Sequence, residues 1–126
     1  MESVVAAIIK EGSKVLLSKR DSPNHPSEDG KWEFPGGKIK EGEQPEDTLK
    51  REIWEELDRG IEVERLVHAQ INSYPHGKFL VLYYLCRLVE EGTFEKRTSL
   101  VVWAPGCLLE GLEVLPGTRE ALAKIT

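Results

Sequence analysis

The stretch EFPGGKIKEGEQPEDTLKREIWEEL, residues 33–57, decides the reading of this chain. Pro45 suits the opening position of a helix. Glu46 and Asp47 put negative charge at the positive end of its dipole. Gln44 is a poor N-cap, and Gly60 follows soon after Leu57. The pattern predicts a helix from near Pro45 to near Leu57. At about 100° per residue, with Glu52 at zero, Glu56 falls about 40° to one side and Glu55 about 60° to the other. Leu49, Ile53 and Leu57 fall near about 60°, 100° and 140°. One flank can therefore enter a core while its neighbour presents three carboxylates. Glu52 and Glu56 form a repulsive i,i+4 pair, at about 0.2–0.5 kcal/mol when exposed. A divalent cation would remove that repulsion, because hard cations prefer carboxylate oxygens. The alternative is a solvated acidic face, with Arg51 paired to Glu55 and Glu46 to Lys50.

The preceding glycines favour the cation. Gly36 and Gly37 let the backbone approach a phosphate or ion closely. Gly42 permits a tight turn back over the helix start, and Lys38 adds a positive charge. A loop with free backbone groups, a lysine and a carboxylate-bearing helix together fit a Mg²⁺–polyphosphate site.

Outward from this stretch, SVVAAIIK and KVLLSKR read as two strands at hairpin spacing, with Lys19 and Arg20 at the exit of the second. DSPNHPSEDG is a loop, KWEF a short strand and GGKIKEGE a glycine-punctuated loop. IEVERLVHAQINSYP and KFLVLYYLCRLVE are extended segments around the turn PHGK. EEGTFEKRTS is a loop, LVVWA a strand, and Pro105 opens a helical turn in PGCLLEGL. LPGTREALAKIT predicts a last helix starting near Pro116 or Thr118. The mixture implies α/β packing with antiparallel pairs among the strands.

The 126 residues suffice for one domain, residues 1–126. A net charge of −5 disfavours nonspecific binding to nucleic acid polymers or anionic membranes, while leaving room for a small anionic ligand. The N-terminal apolar run is too short for a membrane span and lacks a basic leader, so the expected location is cytoplasmic. Cys86 and Cys107 show no metal-type spacing, and Cys86 reads as a reduced core thiol.

Gly37, Glu43, Arg51, Glu52, Ile53, Glu55 and Glu56 fall in register with the signature of the Nudix hydrolases, which this chain resembles. The segment WEFPGGK resembles the MutT-like branch in particular. LLSKR, YPHGKFLVLYYLCR, VVW and LPGTREAL extend the similarity along the chain. The resemblance implies an α/β/α sandwich with a mixed sheet and a catalytic loop–helix–loop. It implies hydrolysis of a nucleoside diphosphate linked to another moiety. Glu52, Glu55, Glu56 and the Gly36 carbonyl would hold Mg²⁺ or Mn²⁺. Arg51 would orient the glutamates, Lys38 would contact substrate phosphate, and Gly37 and Glu43 would be structural.

The chain departs from the family pattern at three places. Asp58-Arg59 replaces a glycine, read as a two-residue insertion beyond the ligands. Arg97 stands where a glutamate often serves as ligand or base, with Glu95 nearby, so the general base is left open. Thr118 replaces the usual base-reading Asn or Asp. Arg20 falls where the family places a base- or phosphate-contacting arginine, and reads equally well as an ordinary surface residue. Phe34 lines a base pocket or packs in the core. Tyr74 and Lys78 flank a hairpin turn, from which Lys78 could reach phosphate. His25, His68 and His76 have no ligand spacing and read as surface or satisfied histidines. Trp32 and Trp103 read as packing residues.

The expectation is a Mg²⁺-dependent hydrolase converting a nucleoside triphosphate to monophosphate and pyrophosphate, directed to an oxidised purine or a cytidine-type nucleotide. Its partner would be a small nucleotide, and the chain a monomer or homodimer. A nucleotide sugar or dinucleoside polyphosphate is the alternative substrate, and a non-catalytic nucleotide sensor the alternative class.

Overall fold

A computed structural model describes residues 1–89 and 112–125, and the backbone of 101–105. The order is β1 (Glu2–Glu11), β2 (Lys14–Lys19), β3 (Trp32–Glu33), β4 (Gly36–Lys38), α1 (Pro45–Leu57), β5 (Ile61–Tyr74), β6 (Gly77–Leu88), β7 (Val101–Pro105) and α2 (Thr118–Ala123). The sheet is mixed and runs β3-β2-β1-β6-β5, with β4 also on β1 and β7 on β2. β1 and β6 are parallel, from Glu2 opposite Phe79 to Ile9 opposite Cys86. Such a pair needs a crossover connection, and α1 lies on it.

β1 explains the layering. Its run of small and β-branched residues is buried on both faces, which is how a strand covered on both sides reads. Successive side chains point to opposite faces. Val5, Ala7 and Ile9 join Leu16, Tyr84 and Cys86 under Leu49, Ile53 and Leu57 of α1. Ala6 and Ile8 join Val15, Leu17, Phe34, Val81 and Tyr83 under Ala121 and Leu122 of α2. The result is the expected α/β/α sandwich. The buried stripe of α1 is the one that the helical projection selects, and Trp54 on another face is 58% exposed.

One edge of β1 is shared between two partners. Val4–Ala6 pair with β4, while Lys10 and Glu11 pair with β2. At the fork the Ala7 amide donates to the Pro35 carbonyl at 2.8 Å. Gly36–Lys38, expected as loop, is therefore a short strand. The open edge of β1 supplies the hydrogen bonds that a local reading does not reveal. An added Cβ at Gly36 would lie 1.9 Å from the Val5 carbonyl oxygen, so a side chain there is excluded.

Pro105, expected to open a helical turn, ends β7 opposite Lys14. The rest of that turn, residues 106–111, lies outside the described residues, as do Glu95, Arg97 and Cys107. The last helix is shorter than expected. Its start is held by the Gly117 amide, which donates to the Glu120 carboxylate at 3.1 Å. Cys86 is a free, buried thiol, and burial pushes its pKa up to about 12. Among the described residues no helix is long and apolar enough to cross a membrane.

The C-terminus of α1 rationalises the missing glycine. Asp58 adopts the left-handed conformation (φ 58°, ψ 38°), and its amide donates to the Trp54 carbonyl at 3.0 Å. Glycine reaches this conformation without steric cost, and an acidic residue at a helix C-terminus also opposes the dipole. Asp58→Gly should therefore raise stability by about 1 kcal/mol, read as an upward shift of a few degrees in Tm. An unchanged or lower Tm would mean that the Asp58 side chain has a compensating role.

Candidate active site

Arg51 organises the acidic helix. Its Nε donates to Glu43 Oε2 at 2.8 Å and its Nη2 to Glu43 Oε1 at 2.9 Å, a bidentate pair. Its Nη1 reaches Glu52 Oε1 at 3.0 Å and Glu55 Oε2 at 3.3 Å. Glu43 Oε1 also accepts from the Lys40 amide at 3.0 Å and from the buried Thr48 hydroxyl at 3.1 Å. Between them Gly42 takes a positive φ of 84°, which turns the loop back onto the helix. Glu43 thus ties loop to helix. Arg51, followed by the other donors, holds its carboxyl down at about 2 against an ordinary 4.5. The same contacts raise the Arg51 pKa further.

Glu52 lies against β4. A Cβ at Gly37 would fall 2.3 Å from the Glu52 carboxyl carbon, so this glycine leaves the room that the carboxylate occupies. Among the described residues Glu56 has no cationic partner as close. Burial, then the charges of Glu52 and Glu33, push its carboxyl up to about 8, against a hydrogen bond from the Gly36 backbone and the more distant Arg20. Glu33 reaches the same cleft from β3. Burial raises its pKa, opposed by Arg20, whose Nη1 lies 3.2 Å from Glu33 Oε1. Arg20, Glu33, Gly36 and Glu56 line this cleft together at the fork in the sheet.

On the other side of β4 opens a cavity of about 270 Å³. Its walls include Phe34, Phe79 and Tyr83, and its polar lining includes Asn72, Thr118, Arg20, Glu33 and Glu28. Phe34 meets Tyr83 edge-on at 6.4 Å and both lines the cavity and packs in the core. Asn72 donates to the Pro116 carbonyl at 2.9 Å and to the Tyr83 hydroxyl at 3.3 Å. Gly36, Gly37 and Lys38 line the cavity too, so one short strand separates it from the acidic helix. Lys38 is exposed, pairs with Glu2 at 2.8 Å and lies 5.7 Å from the Phe79 ring.

The structure therefore gathers Arg51, Glu52, Glu55, Glu56, Gly36, Gly37 and Glu43 in one place, with Arg20 beside them. It puts Phe34, Lys38 and Thr118 in the neighbouring cavity. Lys78 is exposed and is not among the cavity-lining residues. The sequence reading passed over Glu33, although a charge between Trp32 and Phe34 in a strand is a legible signal. It also passed over Asn72 and Glu28, which are buried polar residues brought to the cavity by tertiary packing.

A mixed-sheet α/β/α sandwich with an arginine-clamped acidic helix behind a glycine strand is the build of a Nudix domain. The family model for the NUDIX domain matches residues 1–119, and the chain belongs to that family of pyrophosphate-bond hydrolases, within its MutT-like part. An 8-oxo-dGTP diphosphatase of Escherichia coli (strain K12) is 37% identical over 125 residues, 99% of this chain and 95% of that one. A CTP pyrophosphohydrolase of the same strain is 47% identical over 62 residues, 49% of this chain and 43% of that protein. The crystal structure of a MutT NUDIX hydrolase from Burkholderia pseudomallei has a TM-score of 0.78 at 26% identity, over 99% of this chain and 98% of that one. Some matches are partial: that with a MutT-like protein of Streptomyces ambofaciens covers 42% of its length.

The Glu43 clamp has a measurable signature. A carboxylate whose folded pKa is depressed contributes stability that is complete above its ordinary pKa of 4.5 and is lost as pH falls towards about 2. Glu43→Gln should lower stability at pH 7. Between pH 5 and pH 2 it should also flatten the loss of stability measured by chemical denaturation. Equal slopes for variant and wild type would remove Glu43 from this role.

Proposed function

We propose that this chain is a divalent-metal-dependent nucleoside triphosphate pyrophosphohydrolase, releasing a nucleoside monophosphate and pyrophosphate. The observation that carries the reading is the juxtaposition across β4 of a small aromatic-walled cavity and a cluster of under-neutralised carboxylates. A volume of about 270 Å³ is at the small end for a ligand pocket, which favours one base over a larger second group.

The residues fit Mg²⁺ or Mn²⁺. The donor set is all oxygen, from Glu52, Glu56 and Glu55 and the Gly36 carbonyl, with Glu33 beside them. An uncompensated, partly buried carboxylate such as Glu56 is a site that a cation stabilises. When bound, the metal would supply charge neutralisation of the phosphates and activation of water. The chain does the rest. Arg51, anchored by Glu43, holds Glu52 and Glu55 in place. Gly36 and Gly37 let the polyphosphate approach the backbone. Lys38, at the cavity rim, offers a cation to a phosphate, and Arg20 offers another from the opposite wall. Phe34 and Phe79 would flank the base, with Asn72 and Thr118 as its polar readers. This supports a purine or cytidine-type base, whose edges carry both donors and acceptors.

The test is turnover of a panel with Mg²⁺ and product analysis: ordinary and oxidised nucleoside triphosphates, nucleotide sugars and dinucleoside polyphosphates. Pyrophosphate from a triphosphate is expected. Tight nucleotide binding without pyrophosphate release would support the sensor instead. Glu52→Gln and Glu56→Gln should each lower kcat by about 10² or more with the fold intact by circular dichroism. Because Glu56 is protonated below about pH 8 in the free protein and a cation binds its ionised form, affinity for Mn²⁺ should rise about tenfold per pH unit up to that point and then level off. A flat profile between pH 6 and 8 would show that no group titrating in that range, and so no proton on Glu56, competes with the ion.

A further inference from the structure

The cavity wall opposite the acidic helix carries a second cluster of different chemistry. The loop between β2 and β3 is turned so that the Glu28 amide donates to the His25 carbonyl at 2.9 Å and the Asp29 amide to the same oxygen at 3.0 Å. This single turn places His25 and Glu28, three residues apart, on one side. The β5–β6 turn brings His76 to meet them. His76 Nε2 lies 3.3 Å from Glu28 Oε1, and the rings of His25 and His76 are 4.1 Å apart. One ligand-capable atom from each of the three residues lies within 4.8 Å of the others. The sequence reading saw no ligand spacing among the histidines, because the spacing is created by two loops meeting.

Glu28 is the informative member. It is 2% exposed, and among the described residues its Oε2 has no hydrogen-bond partner. Among the described residues His76 alone lies within ion-pairing distance of it. A buried carboxylate oxygen without a partner costs free energy that a protein rarely leaves unmet. Histidine and carboxylate donors together suit borderline d-block ions, and three protein ligands with an open fourth position are a common zinc arrangement. The all-oxygen set of the helix suits Mg²⁺ instead, so the two clusters differ in the ions they select.

We propose that His25, Glu28 and His76 form a second metal site, selective for Zn²⁺-class ions. The ion would link the β2–β3 loop to the β5–β6 turn at the cavity wall. His25 is half-buried and His76 exposed, so an ion can enter from solvent. The proposal is independent of the nucleotide reading.

The test is calorimetric titration of the full chain with Zn²⁺ in excess Mg²⁺ and without nucleotide, paralleled by Co²⁺ absorption spectra. One equivalent of Zn²⁺ should bind with micromolar or tighter affinity, raise Tm, and give Co²⁺ bands of a nitrogen-containing site. His25→Ala and His76→Ala should each weaken binding at least tenfold, as should Glu28→Gln. The two histidines lie outside the two core clusters, so their variants should fold. Absence of Zn²⁺ uptake with Mg²⁺ present would overturn the proposal and leave Glu28–His76 a plain ion pair. Uptake unchanged in both histidine variants would equally overturn it. Neither result bears on Mg²⁺-dependent turnover.

Discussion

One guanidinium decides where the negative charge of α1 accumulates. Arg51 engages Glu43 with two bonds, then Glu52, then Glu55. Its contacts stop short of Glu56, which faces Glu52 and Glu33 with a Gly36 backbone bond and the more distant Arg20 in support. The outcome is a contrast between Glu43, in the loop before α1, whose carboxyl Arg51 holds low, and Glu56 near the helix end, whose carboxyl burial and neighbouring charge push up. No solvated acidic face produces such a spread, because water levels the environments of exposed carboxylates. The bland alternative, Arg51 with Glu55 as a surface pair, is present but is the weakest of the arginine's contacts. Pairs of titratable groups pushed apart by their surroundings mark functional sites more often than structural ones.

The clamp matters because the sheet is open where it sits. β1 is hydrogen-bonded to β4 over one stretch and to β2 over another, and the Ala7–Pro35 bond bridges the gap. Strands that diverge leave a notch, and a notch lined by backbone is where an anion or cation can meet amides and carbonyls. Gly36 and Gly37 are small for two separate reasons. A Cβ on the first would strike β1 itself, and on the second the Glu52 carboxyl. The glycine pair therefore serves sheet closure and site formation at once.

Legibility in the sequence follows the range of the interactions concerned. The span of α1, its buried stripe and its acidic flank are readable because helix signals are local and periodic. The double burial of β1 is readable from its unbroken apolar run. β4 is not, since three residues with two glycines carry no strand signal until β1 offers an edge. The short α2 likewise depends on where the chain packs. The carboxylates gathered on one flank of α1 were within reach of pattern reasoning, but Glu28, Asn72 and the meeting of His25 with His76 were not. Each depends on contacts between segments tens of residues apart, which no local window contains.

Two sets of donors thus lie in neighbouring places, the loop residues on the cavity wall and the helix carboxylates behind β4, and their chemistry keeps them distinct. The oxygen-rich helix presents carboxylates that repel one another, an arrangement that favours a small hard cation with open positions for phosphate. The loops present imidazoles and one enclosed carboxylate, an arrangement poor in charge and richer in nitrogen. Arg20 and Lys38, both on the cavity lining, put two cations beside these donors. A net charge of −5 says nothing of this local arrangement. The field that a substrate meets is instead set by which carboxylates are neutralised, and Arg51 and Arg20 fix that choice.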